Sequence, residues 1–226
     1  MVKKRTHGLP VVLGCLLALS AQAQNGADPA INRPYAEPQY GEWVERFERP
    51  GRELYDRREE IVARLKLKPG MSVADIGAGT GLFTRLFARA VKPGRVYAVD
   101  IAKKFVDTIV RDARARGLAN IVGVVNDQTG ARLPKASIDL AFLADTYHHF
   151  EQPQAMLRSI RGALRPGGRL VVIDFRREPG RSSAWVMGHV RADQATVVEE
   201  IRAAGFKLMR EEDLLRENYF LVFSRP

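Results

Sequence analysis

The chain has 226 residues, of which 46% are hydrophobic and 27% are charged, and its net charge is +10. These values fit one globular domain with short extensions and exclude a wholly disordered chain, while the lack of internal repeats excludes solenoids and coiled coils. The excess of basic residues is compatible with weak contact with an anionic membrane surface. No recognised nucleic-acid-binding motif accompanies it, so we predict no nucleic-acid partner.

The first 23 residues have the pattern of a secretory signal peptide. Basic residues at 3–5 precede an apolar stretch at 9–19, which is shorter than the ~20 residues that a membrane-spanning helix needs. Ala21 and Ala23 are the small residues that a signal peptidase reads, so we predict cleavage after Ala23 and export to the periplasm. An N-terminal anchor that stays attached is the other interpretation. Cleavage would lower the net charge from +10 to +7.

The single cysteine, Cys15, lies within this segment. Cleavage after Ala23 would leave a chain without cysteine, which excludes thiol catalysis and an intramolecular disulfide bond. The sequence that ends at Cys15 also resembles a lipoprotein signal, in which this cysteine would carry the lipid. Apolar residues follow Cys15 where small polar ones are usual, so the pattern favours the cleaved peptide.

Residues 24–50 are predicted to be a linker followed by a lid. The part at 24–39 is rich in Pro, Asn and Ala, which indicates an extended linker. The residues after it have the pattern of one or two helical turns. Trp43, Phe47 and Arg49 either form a lid over the domain or pack that first helix down.

The domain itself, 51–226, opens on a helix at 52–65 and then alternates short apolar strands with helices. The predicted strands are 72–76, 95–99, 121–125, 138–144 and 169–173. The helices between them are 81–90, 103–116 and 152–164. Strands this apolar are buried on both faces, and right-handed crossovers then give a doubly wound, Rossmann-like α/β fold. A helix capped by Asp193 and an antiparallel hairpin of strands 206–209 and 219–223 complete a seven-stranded sheet.

Three alternate glycines lie at the turn between the first strand and its helix. Gly77, Gly79 and Gly81 follow G-x-G-x-G, whereas a dinucleotide-binding loop follows G-x-G-x-x-G and would place its third glycine at Leu82. Such glycines either let the backbone approach a ligand closely or serve the tight turn alone. The spacing disfavours a nicotinamide-dependent oxidoreductase.

Polar residues end the next two strands. Asp100 ends the second strand, where a carboxylate can accept hydrogen bonds from both hydroxyl groups of a ribose. Asn126, Asp127 and Gln128 end the third strand, where polar side chains could meet an adenine edge. In such folds ligands bind at the carboxyl ends of the strands, so these residues indicate a nucleotide-like ligand.

Together with the run Leu-Arg-Pro-Gly-Gly at 164–168, these residues resemble the class I S-adenosylmethionine-dependent methyltransferases. The resemblance covers about 67–223 and is strongest to the ubiquinone/menaquinone-type C-methyltransferases, through 143–150 and 164–174. It implies S-adenosylmethionine as the cofactor and in-line methyl transfer to a small-molecule acceptor. Because export would separate the protein from cytoplasmic cofactor, an exported, non-catalytic ligand-binding protein that keeps the fold is the second interpretation.

The resemblance also implies which residues would bind the cofactor. Those toward its methionine and ribose are Gly77, Ala78, Gly79 and Gly81. Asp75 would order the loop or meet the amino group through water, and Asp100 would bind the ribose hydroxyls. Ile101 would lie against the adenine, and Asp127 with Gln128 would face the adenine amine.

The catalytic candidates follow the fourth strand. The resemblance implies that the methyl group of the cofactor points toward this segment. His148 or His149 would act as a general base or orient the acceptor, unless one caps the next helix and the other packs beneath it. We predict no metal site, because adjacent side chains diverge and no third ligand is evident nearby. The segment 175–192 carries Arg176, Arg177, Arg181, Trp185 and His189. It forms either part of an acceptor pocket, in which the arginines would suit an anionic substrate, or a solvated connection.

Overall fold

Seven strands form one sheet in residues 26–226, the part of the chain that the computed structural model describes. The predicted signal peptide, with Cys15 and the cleavage site after Ala23, lies outside those residues. The strands are β1 (Val73–Ile76), β2 (Val96–Asp100), β3 (Ile121–Val125), β4 (Ile138–Ala144), β5 (Leu164–Phe175), β6 (Lys207–Glu211) and β7 (Asn218–Ser224). Their order is β3-β2-β1-β4-β5-β7-β6, with β1 to β5 parallel and β7 antiparallel to both of its neighbours. The prediction of a Rossmann-like sheet with an antiparallel hairpin is confirmed.

Eight α-helices accompany the sheet in the described residues. They are α1 (Tyr40–Phe47), α2 (Glu53–Asp56), α3 (Arg58–Leu65), α4 (Leu82–Val91), α5 (Lys103–Ala115), α6 (Pro153–Ala163), α7 (Ala184–His189) and α8 (Gln194–Ala203). Short 3₁₀ helices lie at Pro29–Tyr35 and Tyr147–His149. As predicted, Asp193 caps α8, accepting a hydrogen bond from the backbone N–H of Thr196 at 2.9 Å. Across residues 26–226, no helix combines the length and the apolar character that crossing a bilayer requires.

Helices cover both faces of the sheet, which explains why every residue of β1 and β2 is buried. On one face α6 and α8 contribute Met156 and Ile201 to an apolar cluster. On the other face α3 and α4 contribute Ile61 and Phe87, which lie in one cluster with Phe142 of β4. Burial of each such side chain contributes about 1.5–3 kcal/mol. These two clusters hold the strand ends in fixed positions.

The extended conformation predicted for 24–39 is wrong at Pro29–Tyr35, which forms a 3₁₀ helix. The Asp28 carboxylate starts this helix by accepting a hydrogen bond from the N–H of Ala30 at 2.8 Å. Asn32 then fastens it to the domain, since its side-chain amide donates to the His149 carbonyl oxygen at 3.1 Å. The second contact joins residues far apart in the sequence, so local composition does not reveal it.

Two other predicted elements have different bounds in the structure. The helix predicted at 52–65 is divided into α2 and α3 at Arg57. The strand predicted at 169–173 begins at Leu164, because Leu164 pairs with Ile138 of β4 across an irregularity in the register. β1 to β4 end within one residue of their predicted ends, so the loops that follow them keep their predicted places.

Candidate functional site

A cavity opens at the carboxyl ends of the parallel strands. Its wall is formed by the glycine loop after β1, the ends of β2 and β3, and the turn after β4. The predicted cofactor-binding residues in this wall are Asp75, Gly77, Ala78, Gly79, Asp100, Ile101 and Gln128. The structure therefore gathers seven of the nine predicted residues around one space.

The glycine loop is held close to β2 and to the turn after β4. The backbone N–H groups of Gly77 and Ala78 both donate to the Val99 carbonyl oxygen, at 2.8 and 3.0 Å. Gly77 has a φ of +74°, and a Cβ atom there would lie 2.3 Å from Oγ1 of Thr146. Only glycine fits this position, because a side chain would meet both an unfavourable backbone conformation and a collision.

Asp100 is buried at the end of β2, with each carboxylate oxygen oriented by one backbone donor. Oδ2 accepts a hydrogen bond from the N–H of Gly79, and Oδ1 from that of Ala102, both at 2.8 Å. Burial raises the pKa of Asp100 to about 6, although these hydrogen bonds oppose the rise. Each oxygen keeps a further lone pair for a ligand. The neighbouring Ile101 adds apolar surface to the same wall.

Asp75 connects the strand before the loop to the helix after it. Its carboxylate accepts a hydrogen bond from Oγ1 of Thr84 in α4 at 2.5 Å. Burial raises the pKa of Asp75 to about 7, and the Thr84 hydroxyl partly offsets this. The hydrogen bond joins β1 to α4 across the glycine loop, so it limits the conformations that the loop can adopt.

Two predicted cofactor-binding residues, Gly81 and Asp127, are absent from the cavity wall. Gly81 precedes α4, and a Cβ atom there would lie 2.8 Å from Cγ1 of Ile109, so the glycine serves helix packing. The Asp127 carboxylate accepts hydrogen bonds from Thr129 and Arg132, which hold its pKa below the usual value. The structure thus directs the assigned carboxylate away from the cavity.

The residues on either side of Asp127 line the cavity instead. Asn126 and Gln128 both contribute to its wall. Oε1 of Gln128 accepts a hydrogen bond from the backbone N–H of Glu151 at 3.1 Å, which joins the end of β3 to the turn after β4. Two side-chain amides, rather than a carboxylate, are therefore the polar groups that β3 offers to a ligand.

The N-terminal elements complete the wall. Phe47, one of the predicted lid residues, lines the cavity, and so do three residues that sequence analysis missed: Asn32, Tyr35 and Arg52. The ring of Tyr35 stacks on Trp43 with centroids 4.6 Å apart and meets the edge of His149 at 5.1 Å. Phe47 covers Gly79, where an added Cβ would lie 3.3 Å from its ring. The sequence feature that could have indicated these wall residues is the close spacing of aromatic residues before β1.

An ion pair joins this N-terminal segment to the end of β4. Nη2 of Arg52 donates to Oδ2 of Asp145 at 2.6 Å, and the Asn218 side-chain amide donates to Oδ1 at 2.6 Å. Burial raises the pKa of Asp145, while Arg52 opposes the rise. Asp145 has a φ of +48°, a conformation that residues other than glycine seldom adopt and that often marks functional sites.

The two candidate catalytic histidines occupy different environments. His149 lines the cavity, and its Nδ1 lies 2.9 Å from Oδ1 of Asn32. Burial and the neighbouring His148 lower the pKa of His149 to about 3, so its ring is neutral and a weak base. His148 lies behind the wall, with Nδ1 2.7 Å from Oδ1 of Asp174. Burial opposes protonation of His148, but Asp174 raises its pKa above the usual value.

A third histidine lies beside this pair, contrary to the expectation that no further ligand was near. The His189 ring centroid is 5.2 Å from that of His148 and 5.4 Å from that of His149. The adjacent rings do not diverge either, since their centroids are 4.2 Å apart. Sequence reasoning missed the cluster because 40 residues separate His189 from His149.

The segment 175–192 borders a second cavity. The wall of this cavity includes Phe175, Arg176, Arg181 and Trp185. Arg176 pairs with Glu211 at 3.0 Å. Arg181 pairs with Glu178 at 2.6 Å. These acidic partners balance much of the positive charge, so the arginines are weaker candidates for binding an anionic acceptor than their number in the sequence indicated.

Comparison with known proteins gives a family match over the part of the chain that contains the glycine loop and Asp100. Residues 74–172 match the sequence model of a family described as a methyltransferase domain. Phosphoethanolamine N-methyltransferase of Triticum aestivum is 28% identical over 169 residues, covering 72% of this chain and 33% of the relative. The ubiquinone/menaquinone biosynthesis C-methyltransferase UbiE of Burkholderia vietnamiensis is 33% identical over 120 residues, covering 50% of this chain and 47% of the relative. The chain thus spans a third to a half of the length of these curated relatives.

Solved structures share the fold. A SAM-dependent methyltransferase from Aquifex aeolicus superimposes with a TM-score of 0.73 at 22% identity, over 84% of this chain and all of that chain. The [4+2]-cyclase SpnF superimposes with a TM-score of 0.67 at 20% identity, over 79% of this chain and 85% of that chain. Since one of these proteins is described as a cyclase, the fold alone does not determine the reaction.

Proposed function

Because the chain belongs to the class I S-adenosylmethionine-dependent methyltransferases, we propose that it transfers a methyl group to a small-molecule acceptor. The observation that carries this proposal is the cavity in which the glycine loop and the Asp100 carboxylate face one space. The curated relatives support the acceptor class, since their names specify phosphoethanolamine and ubiquinone or menaquinone biosynthesis.

The residues of the cavity fit S-adenosylmethionine. Gly77 lies against Thr146 with a φ of +74°, and in this position the loop backbone forms part of the cavity wall, where it can face the methionine portion. Asp100 has acceptor capacity on both oxygens for the two ribose hydroxyls. Ile101 offers an apolar surface to the adenine, and the Gln128 amide offers a hydrogen-bonding group to its edge. These are roles that we propose for residues whose positions suit them.

When bound, S-adenosylmethionine supplies a methyl group on a positively charged sulfur, which a nucleophile can displace in line. The protein's contribution is to hold the acceptor close, aligned and shielded from water. Tyr35 and Phe47 provide apolar cover on the N-terminal side of the cavity. His149 is too weak a base to remove a proton at neutral pH, so we propose an acceptor that needs no strong side-chain base.

Calorimetric titration of the full chain with S-adenosylmethionine and S-adenosylhomocysteine tests the cofactor site. We expect micromolar binding of both ligands and a loss of at least about tenfold in the Asp100→Asn variant, since hydrogen bonds to a charged group contribute ~1.5–3 kcal/mol. Asp127→Asn is the matched control and should bind as the unmodified chain does, because Asp127 lies outside the cavity wall. A lack of binding at millimolar ligand would overturn the proposal and favour a ligand-binding protein that retains the fold.

A further inference from the structure

Three of the four histidines in the sequence meet at one place. His148 and His149 lie on the 3₁₀ turn after β4, and His189 ends α7. One ring nitrogen from each lies within 4.8 Å of those from the other two. The fourth histidine, His7, lies outside the described residues. His149 lines the cofactor cavity, and His189 stacks on Trp185, which lines the second cavity.

Oxygen atoms of other side chains orient two of the three rings. Oδ1 of Asp174 lies 2.7 Å from Nδ1 of His148, and Oδ1 of Asn32 lies 2.9 Å from Nδ1 of His149. An acceptor at Nδ1 keeps the proton on that nitrogen and leaves Nε2 with a free lone pair. Metal-binding histidines have this arrangement, in which a carboxylate or carbonyl oxygen fixes the tautomer and makes the ring a better ligand.

The free nitrogen of His148 has no partner within residues 26–226. The His148 side chain is only 4% exposed, and its Nε2 atom is buried without a hydrogen bond. Leaving a buried polar group unpaired costs about 1–3 kcal/mol, so native proteins seldom do so without a reason. Packing of the ring against Phe175 and the other histidines does not satisfy this atom, whereas a bound cation would.

The geometry is close to that of a three-histidine metal site. Three nitrogens that each bind one ion at about 2.0–2.1 Å in a tetrahedral arrangement lie about 3.3 Å apart. The longest separation, at most 4.8 Å, must therefore shorten by at most about 1.5 Å. His189 is the ring best able to move, because it is only partly buried and ends a helix of six residues.

We propose that His148, His149 and His189 bind one divalent transition-metal ion of the zinc class. Neutral imidazole nitrogen is a preferred ligand for such ions, whereas Mg²⁺ and Ca²⁺ prefer oxygen. Three protein ligands leave a fourth coordination position for water or another small ligand, as in catalytic rather than structural zinc sites. Metal binding does not depend on methyl transfer, so each proposal can fail without the other.

The test is a titration of the metal-free full chain, purified without a polyhistidine tag, with Zn²⁺ by calorimetry and with Co²⁺ by visible absorption. We expect one ion per chain, micromolar or tighter Zn²⁺ binding, and the intense absorption bands of four-coordinate Co²⁺. Loss of one ligand in His189→Ala should weaken Zn²⁺ binding at least tenfold and abolish those bands. Asp174→Asn should weaken binding about 10–100-fold through its effect on His148.

His7→Ala is the matched control, since it removes the one histidine that the proposed site does not use. It should leave the stoichiometry and the affinity unchanged. Thermal unfolding of the metal-free His189→Ala variant checks that this partly exposed position tolerates the change. Binding that is no tighter in the unmodified chain than in His189→Ala, or that is lost in His7→Ala, would overturn the proposal.

Discussion

Burial gives Asp100 a pKa of about 6, so its charge changes within the working range of most assays. The ionised carboxylate accepts hydrogen bonds more strongly than the protonated acid, and its fraction falls from about nine-tenths at pH 7 to about one-tenth at pH 5. We therefore expect the affinity for S-adenosylhomocysteine to decrease by up to about tenfold between pH 7 and pH 5. Calorimetry between pH 7 and pH 5 measures this slope.

The Asp100→Asn variant is the control for that pH dependence. Asp75, whose pKa is about 7, also titrates in this range, and the variant retains it. The variant should bind more weakly throughout and show a flatter profile between pH 6 and pH 5. An equal slope in both proteins would assign the dependence to a group other than Asp100.

Individual site residues could be predicted from sequence where they follow a strand. Gly77 and Asp100 lie at strand ends, so the alternation of strands and helices along the chain is enough to place them at one edge of the sheet. Asp127 shows the limit of this reasoning. The third strand places three consecutive polar residues at that edge, and contacts with Thr129 and Arg132 decide which side chain turns away.

At the scale of elements, the Arg52–Asp145 pair fastens the chain before α2 to the end of β4. Both side chains are mostly buried, at 21% and 12% exposure. Arg52→Ala would leave the Asp145 carboxylate buried beside Asn218 without its cation. We expect a loss of about 3 kcal/mol in the free energy of unfolding, measured by urea denaturation.

Arg57→Ala is the matched comparison for that variant. Arg57 pairs with Glu60 at the same distance of 2.6 Å, but these side chains are 37% and 56% exposed. Solvent screening makes such a pair contribute little, so the denaturation midpoint should barely move. Equal stability of the two variants would contradict the importance of the buried pair.

Elements with strong local periodicity were predicted well, and those held by distant contacts were not. The apolar strands and their amphipathic helices are recognisable within a few residues of sequence. The 3₁₀ helix Pro29–Tyr35 is not, because Asn32 holds it through the His149 carbonyl and the Glu151 carboxylate, more than a hundred residues away. The same contacts explain why Asn32 and Tyr35 were missed as residues of the cavity wall.

At the scale of the whole molecule, we propose that the protein is exported and cleaved after Ala23. The basic, apolar and small-residue segments at 1–23 are the support for this proposal. Mass spectrometry of the protein from a periplasmic fraction should find a chain that begins at Gln24. A lipid-bearing Cys15 would indicate the lipoprotein interpretation, and an intact Met1 in the cytoplasmic fraction would contradict export.

The position of β7 has a consequence for the order in which the sheet is assembled. β6 precedes β7 along the chain but joins the sheet only through it, because β7 lies between β5 and β6. A nascent chain that has not yet reached Asn218 therefore leaves one edge of β5, the edge that β7 covers, without a partner strand. Such an open edge favours pairing with other chains. Release from the ribosome before that residue would yield a product prone to aggregation rather than a smaller version of the protein.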